Sequence, residues 1–80
     1  MSNKQKYQDI FIKSLSIDSK KFNEGLKYNE IPEWDSIGHM TLMAGLEEVF
    51  NITMETDDIV DFSSYKKGME ILGRYNINFN

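Results

Sequence analysis

The chain of 80 residues, 40% of them hydrophobic and 28% charged, matches one globular domain in length and composition, which excludes a two-domain protein and a disordered chain. Its lack of cysteine excludes disulfides and thiolate metal sites and favours the reducing cytoplasm, and its net charge of -4 argues against binding to nucleic acid. No apolar run is long enough to span a membrane, and no apolar signal-peptide core follows Met1 to Lys6. We therefore expect a single domain over residues 1–80 that is cytoplasmic and does not insert into a membrane.

Charge is distributed unevenly along the chain. Residues 31–63 contain eight acidic residues and no lysine or arginine, whereas residues 1–30 contain six lysines against four acids. Such a block creates a negative potential that attracts basic partners and repels acidic ones. Small soluble domains also carry uneven charge merely for solubility. The charge pattern by itself therefore does not decide between a surface for a basic partner and a surface that only keeps the protein soluble.

The first predicted element is a helix over residues 3–15. Tyr7, Ile10, Phe11 and Leu15 follow the spacing of one helix face, with polar residues between them. We therefore expect this helix to be amphipathic and to pack through that face.

A long loop is predicted from Ser16 to Asp35, because turn-forming residues recur there and include Pro32, the only proline. A loop of this length is uncommon in so small a domain and favours a functional role. Its apolar residues are frequent enough to anchor it to a core: Ile17, Phe22, Leu26, Ile31 and Trp34.

The second predicted helix begins at Asp35 or Ser36 and runs to about Phe50. At 100° per residue, one side of this helix forms a core stripe. Gly38, Thr41 and Gly45 share another sector, where small side chains let a second backbone approach. The predicted core stripe consists of His39, Leu42, Met43, Leu46, Val49 and Phe50.

The opposite side of the second helix carries a second apolar strip, formed by Ile37, Met40 and Ala44 beside Glu47 and Glu48. Small apolar residues among carboxylates are typical of a docking surface with a hydrophobic centre and a charged rim. A central helix buried on all sides is the alternative interpretation.

Two shorter helices complete the prediction. The third lies near Asp57 to Asp61, with Thr56 as its N-cap. The fourth starts after Ser63 or Ser64, ends at Gly73 and contains Gly68, which indicates a tight contact because glycine disfavours a helix interior. The sequence thus predicts an all-α fold with four helices.

The sequence contains no zinc, EF-hand or phosphate-loop signature. Ser36 and His39 are neighbours on one helix turn, but a nucleophile and its base also need an orienting group and an oxyanion hole, so we interpret His39 as a packed, hydrogen-bonded residue. Ser36 itself allows two interpretations, an ordinary residue at a helix start or an exposed hydroxyl whose phosphate ester the helix dipole would favour.

The stretch WDSIGHMTLMAGLEEVF, residues 34–50, resembles the attachment region of acyl carrier proteins. The hallmark of that family is Asp-Ser-Leu at the start of the second helix and a Leu-Glu-Glu-x-Phe ending. Here Asp35-Ser36-Ile37 is followed at the expected distance by Leu46-Glu47-Glu48-Val49-Phe50. Similarity extends over about residues 31–73 and implies a four-helix acyl-carrier-like bundle, with a long loop after the first helix and a short third helix.

The resemblance implies that a magnesium-dependent phosphopantetheinyl transferase attaches 4'-phosphopantetheine from coenzyme A to Ser36, and that Asp35 helps to position the metal in that complex. The arm's thiol then holds acyl groups as thioesters, which explains how a chain without cysteine carries a reactive sulfur. The resemblance makes the protein a monomeric carrier and not an enzyme. Acyl-loading and acyl-transfer enzymes would read the strip of Ile37, Met40, Ala44, Glu47 and Glu48 through basic docking surfaces.

A cleft for variable acyl chains is a further expectation, lined by Met43, Leu46 and Ile59, although methionines are equally suited to an ordinary core. Fatty-acid carriers usually place acids two and five residues after the serine, where this chain has Gly38 and Thr41. This difference favours a dedicated biosynthetic pathway over housekeeping fatty acid biosynthesis. An aminoacyl or peptidyl carrier and an unmodified acidic helical adaptor remain the alternatives.

Overall fold

The computed structural model describes residues 2–79. Within that range it contains helices and no strand, so the predicted all-α class is confirmed, as are the long connection after the first helix and the short third helix. The helices are α1 (Asn3–Leu15), α2 (Ser36–Phe50), α3 (Thr56–Asp61) and α4 (Tyr65–Gly73).

The two long helices begin and end at residues suited to those positions. The Ser2 side chain accepts a hydrogen bond from the Gln5 N–H at the start of α1, and Asp35 caps α2 in the same way. Both helices end at a left-handed residue, Ser16 and Asn51, each with φ of 54°. These local signals explain why the predicted bounds of α1 and α2 are confirmed.

The main helix pair is α1 against α2, and glycine permits its close approach. A Cβ atom on Gly45 would lie 2.7 Å from Ser14 Oγ and 3.0 Å from Ile10 Cγ1. In α4, a Cβ on Gly68 would lie 2.1 Å from Phe62 Cζ. The tight contact predicted from Gly68 is therefore present, whereas the atoms nearest to Gly45 belong to side chains of α1 and not to the backbone that was expected there.

The core is rich in aromatic rings. Phe11 lies at its centre, with its ring centroid 5.1 Å from that of Tyr7, 5.1 Å from that of Trp34 and 5.2 Å from that of Tyr65. Burial of this much apolar surface is the main source of stability in so small a domain. The largest fully buried side chains are Trp34, Tyr7, Tyr65, Phe11, Phe62, Leu26, Leu42, Met43, Leu46, Ile71 and Leu72.

The long loop is fixed to the helices by backbone hydrogen bonds as well as by packing. The Tyr65 N–H, at the start of α4, donates to Leu26 O at 2.9 Å, and the Tyr28 N–H donates to Ser63 O at 2.9 Å. Ile17, Leu26 and Trp34 are buried, so the predicted anchoring of the loop is confirmed.

Two details differ from the predictions. Thr56 is the first residue of α3 rather than its N-cap; Glu55 occupies the cap position and makes no side-chain capping hydrogen bond. Val49, expected in the core stripe of α2, is 38% exposed. Val49 lies at the edge of the contact between α1 and α2. The periodicity of α2 predicts which side of the helix faces the core, but it does not predict how much of that side α1 covers.

Candidate functional site

Ser36 is the first residue of α2 and is exposed to solvent. Directly before it, Asp35 Oδ1 accepts a hydrogen bond of 2.8 Å from the Gly38 N–H. The first N–H groups of a helix lack intrahelical partners, and the helix dipole is positive at this end. A negatively charged group on the Ser36 hydroxyl would therefore lie in a favourable field.

The chain before Ser36 folds tightly against the first turn of α2. A Cβ atom on Gly38 would lie 2.2 Å from the backbone oxygen of Glu33, so a larger residue would displace this segment. Lys21 holds the same segment from the loop, with Nζ 2.9 Å from Glu33 Oε2. This hydrogen bond keeps the pKa of the Glu33 carboxyl below its usual range.

An apolar groove of about 340 Å³ begins at Ser36. We call it the Ser36 groove. One wall is α2, the other is α3 with the residues that follow it, and most of the lining surface is apolar. Its lining residues are Tyr28, Ser36, His39, Met40, Ile59, Val60, Phe62 and Ser63.

His39 joins α2 to α3 beneath this groove. The Trp34 Nε1–H donates to His39 Nδ1 at 2.9 Å, so the ring hydrogen is on Nε2, which donates to Ile59 O at 2.8 Å. The indole and imidazole rings are nearly parallel, with an interplanar angle of 19° and centroids 6.1 Å apart. His39 is thus a hydrogen-bonded structural residue, as the sequence predicted, and both ring nitrogens have partners.

The predicted docking strip is exposed along α2. Ile37 is 76% and Met40 56% exposed, and Ala44 is exposed as well. The alternative of a helix buried on all sides is therefore wrong. Met40 lines the Ser36 groove, whereas Ala44 lines a second groove, of about 580 Å³, between α1 and α2.

The two glutamates predicted for the same surface differ in their surroundings. Glu48 is exposed and lines the α1–α2 groove. Glu47 is half-buried, and its Oε2 accepts a hydrogen bond of 2.8 Å from the Met54 N–H. One oxygen of Glu47 thus holds the segment between α2 and α3, and the docking role of both residues stays a prediction.

The three residues predicted to line an acyl cleft are also separated. Met43 and Leu46 are fully buried in the core, at 1% and 0% exposure, and neither lines the Ser36 groove. Ile59 does line it. The structure therefore places one of the three in the groove beside Ser36 and two in the buried core.

Half of the Ser36 groove comes from residues that the sequence did not single out for a site. Tyr28 belongs to the long loop, and Val60, Phe62 and Ser63 belong to α3 and the residues after it. Of these four residues, only Val60 could have been predicted from the sequence to be exposed at a site. Ile59 and Val60 are adjacent apolar residues in a short acidic helix, so only one of them can face the core. In the structure Val60 is 78% exposed.

Among residues 2–79, no cluster of three or more His, Cys, Asp and Glu side chains could hold a metal ion. The helices of that part of the chain include none long and apolar enough to cross a membrane. Comparisons of the chain with protein-family models, with curated proteins and with solved structures found no match.

Proposed function

We propose that this chain is an acyl carrier protein that holds acyl groups as thioesters on a 4'-phosphopantetheine arm attached to Ser36. The observation that carries the proposal is an exposed serine at the positive end of α2, directly beside an apolar groove. The motif similarity of residues 34–50 supports the same conclusion.

The surroundings of Ser36 suit attachment of this arm. In the transfer, the serine oxygen bonds to the phosphorus next to pantetheine, the pyrophosphate bond of coenzyme A breaks, the hydroxyl proton is lost and adenosine 3',5'-bisphosphate leaves. The attached arm supplies the thiol that forms the thioester. Asp35 uses Oδ1 to cap α2, and we propose that its other oxygen, Oδ2, faces the transferase and its magnesium ion.

Partner enzymes would dock on the exposed strip of α2. Ile37 and Met40 provide an apolar centre, Glu48 provides negative charge at the C-terminal end of the strip, and residues 31–63 have no lysine or arginine that would repel a basic groove. A carrier must leave each partner quickly, so such contacts should be small and sensitive to salt. We propose that the protein acts as a cytoplasmic monomer in a dedicated biosynthetic pathway and is itself no enzyme.

The proposal is tested by intact mass after co-expression with a broad-specificity phosphopantetheinyl transferase. The wild type should gain one phosphopantetheine per chain, and Ser36→Ala should gain none. Ser63→Ala is the matched control, because Ser63 is also exposed and lines the same groove. It should gain the group as the wild type does.

Two other functions make different predictions. An aminoacyl or peptidyl carrier would be modified at Ser36 in the same way but would accept its cargo from an amino-acid-activating enzyme. An unmodified acidic adaptor would gain no mass with any transferase, and Ser36→Ala would leave its partner binding unchanged. Glu48→Lys would weaken partner binding in every case, so it does not separate the three.

A further inference from the structure

The α1–α2 groove is larger than the Ser36 groove and lies on another side of the molecule. Its volume is about 580 Å³, against about 340 Å³ for the Ser36 groove. On α2 it extends from Thr41 to Val49, which is about 12 Å of helix at 1.5 Å per residue. Gly45, in the middle of this wall, lies about 180° around α2 from Ser36 at 100° per residue. A molecule in the α1–α2 groove therefore leaves Ser36 uncovered.

The walls of the α1–α2 groove suit a helix rather than an extended peptide. Both walls are α-helices, whose backbone groups are paired within each helix, so they offer no sheet edge to a strand. The apolar lining includes Ile10, Ala44 and Val49, of which Ala44 and Val49 are exposed. Small side chains such as that of Ala44 let the axis of a third helix come close, and its apolar residues fit between the first two.

The two walls of the groove carry opposite charges. Lys13 lies on the α1 wall and Glu48 on the α2 wall, and both are exposed. Among residues 2–79, neither has an oppositely charged group within 4 Å. Lys6 and Asp9 line a cavity of about 140 Å³ that adjoins the groove at Lys13, and their charges offset each other. One positive and one negative wall therefore remain unpaired.

This pattern of charge disfavours an occupant with charge of one sign. A uniformly basic surface is attracted by Glu48 but repelled by Lys13, and a polyanion meets the reverse situation. An occupant that presents an acidic residue to Lys13 and a basic residue to Glu48 pairs with both walls. The groove thus differs from the strip around Ile37 and Met40, where no lysine or arginine of residues 31–63 opposes a basic partner.

We propose that the α1–α2 groove binds an amphipathic helix of a partner protein, whose apolar stripe is flanked by an acidic residue facing Lys13 and a basic residue facing Glu48. This proposal goes beyond the proposed function, because it requires no group on Ser36. A protein bound in this way holds the chain while Ser36, on the opposite side of α2, stays accessible to an enzyme.

The test measures the binding of three synthetic peptides to the unmodified chain by fluorescence anisotropy, at about 0.15 M salt to screen distant charges. Each peptide has about 18 residues, enough to form a helix in water, and the same leucine stripe. The flanks of the stripe carry glutamate on one side and lysine on the other, lysine on both sides, or glutamate on both sides. The mixed peptide should bind at least about twofold more tightly than the others. Equal binding of the three peptides, or no binding of the mixed one, would overturn the proposal.

Charge reversal tests the assignment of the two walls. Lys13→Glu leaves two acidic walls, so the peptide with lysine on both sides should become the tightest of the three. Glu48→Lys leaves two basic walls and should favour the peptide with glutamate on both sides. Both residues are exposed, and circular dichroism checks that each variant keeps its helices. An unchanged order of the three peptides in either variant would contradict the assignment.

A matched pair of valine variants tests the location of the helix. Val49→Asn, in the α1–α2 groove, should weaken binding of the mixed peptide about threefold or more, because the 38% exposed valine loses its apolar contact. Val60→Asn, in the Ser36 groove, should bind the peptide as the wild type does. Equal effects of the two variants would refute the assigned groove. Because the chain is unmodified, these results leave attachment at Ser36 untouched, and failure of attachment leaves this proposal standing.

Discussion

At the scale of single residues, two buried tyrosines in ring contact have opposite hydrogen-bonding states. The Tyr7 hydroxyl donates to the backbone oxygen of Tyr65 at 2.6 Å. The Tyr65 hydroxyl is also buried but has no hydrogen-bond partner among the described residues. Their rings are stacked, with centroids 4.6 Å apart. The same chemical group therefore stabilises the fold at Tyr7 and carries an uncompensated desolvation cost at Tyr65.

This difference predicts opposite results for the same substitution. Tyr7→Phe should lower the free energy of unfolding by about 0.5–1.5 kcal/mol, because it removes the buried hydrogen bond to the Tyr65 carbonyl. Tyr65→Phe should leave that free energy unchanged or raise it slightly. Urea denaturation of both variants checks this, and a larger loss in Tyr65→Phe than in Tyr7→Phe would contradict it.

At the scale of elements, one carboxylate of α3 anchors that helix to the end of α4. Asp58 accepts hydrogen bonds from Arg74 Nη1 at 2.9 Å and from the Tyr75 hydroxyl at 2.5 Å. The second bond raises the pKa of Tyr75, because deprotonation would remove it. Since α3 has no buried residue of its own, this anchor to the end of α4 helps to position the wall of the Ser36 groove.

Asp58→Ala should therefore loosen α3. We expect a loss of about 1–2 kcal/mol in unfolding free energy and faster hydrogen exchange in residues 56–61. Asp57→Ala is the control, because Asp57 is exposed and lies in the same first turn, so that both variants lose the same favourable interaction with the helix dipole. Equal effects of the two variants would show that Asp58 acts through the dipole alone.

At the scale of the whole molecule, the buried tyrosines predict how stability depends on pH. Burial raises the pKa of Tyr7 well above its ordinary value, and burial also raises the pKa of Tyr65. Below pH about 10 both the folded and the unfolded chain keep these protons, whereas above it the unfolded chain releases them first. The stability contributed by the protonated form is therefore complete below pH 10 and decreases as pH rises further.

We expect the free energy of unfolding to fall above pH 10 with a contribution from Tyr7 of roughly 1.4 kcal/mol per pH unit. Tyr7→Phe should reduce the slope of that decrease and leave the pH dependence between pH 7 and 9 unchanged. Denaturant titrations at a series of alkaline pH values measure both slopes. Identical slopes in the wild type and in Tyr7→Phe would contradict this assignment.

The bounds of the helices could be predicted from the local sequence, whereas the contacts between distant segments could not. The spacing of Tyr7, Phe11 and Leu15 predicts α1 with its observed bounds, because the repeat of a helix face needs no knowledge of its packing partner. The bond from His39 to Ile59 and the exposure of Val49 depend on which distant segment packs against α2. For the same reason the sequence predicts Ser36 as a candidate site from its local motif, but of the residues that line the groove beside it only Ile59 was expected to line a cleft.

The central claim, attachment at Ser36, is tested most directly by fragmentation mass spectrometry of the wild-type chain after co-expression with a phosphopantetheinyl transferase. We predict one phosphopantetheine per chain, found entirely on the fragment that contains Ser36. No added mass with any of several transferases, or a phosphopantetheine on another serine such as Ser63, would contradict the account.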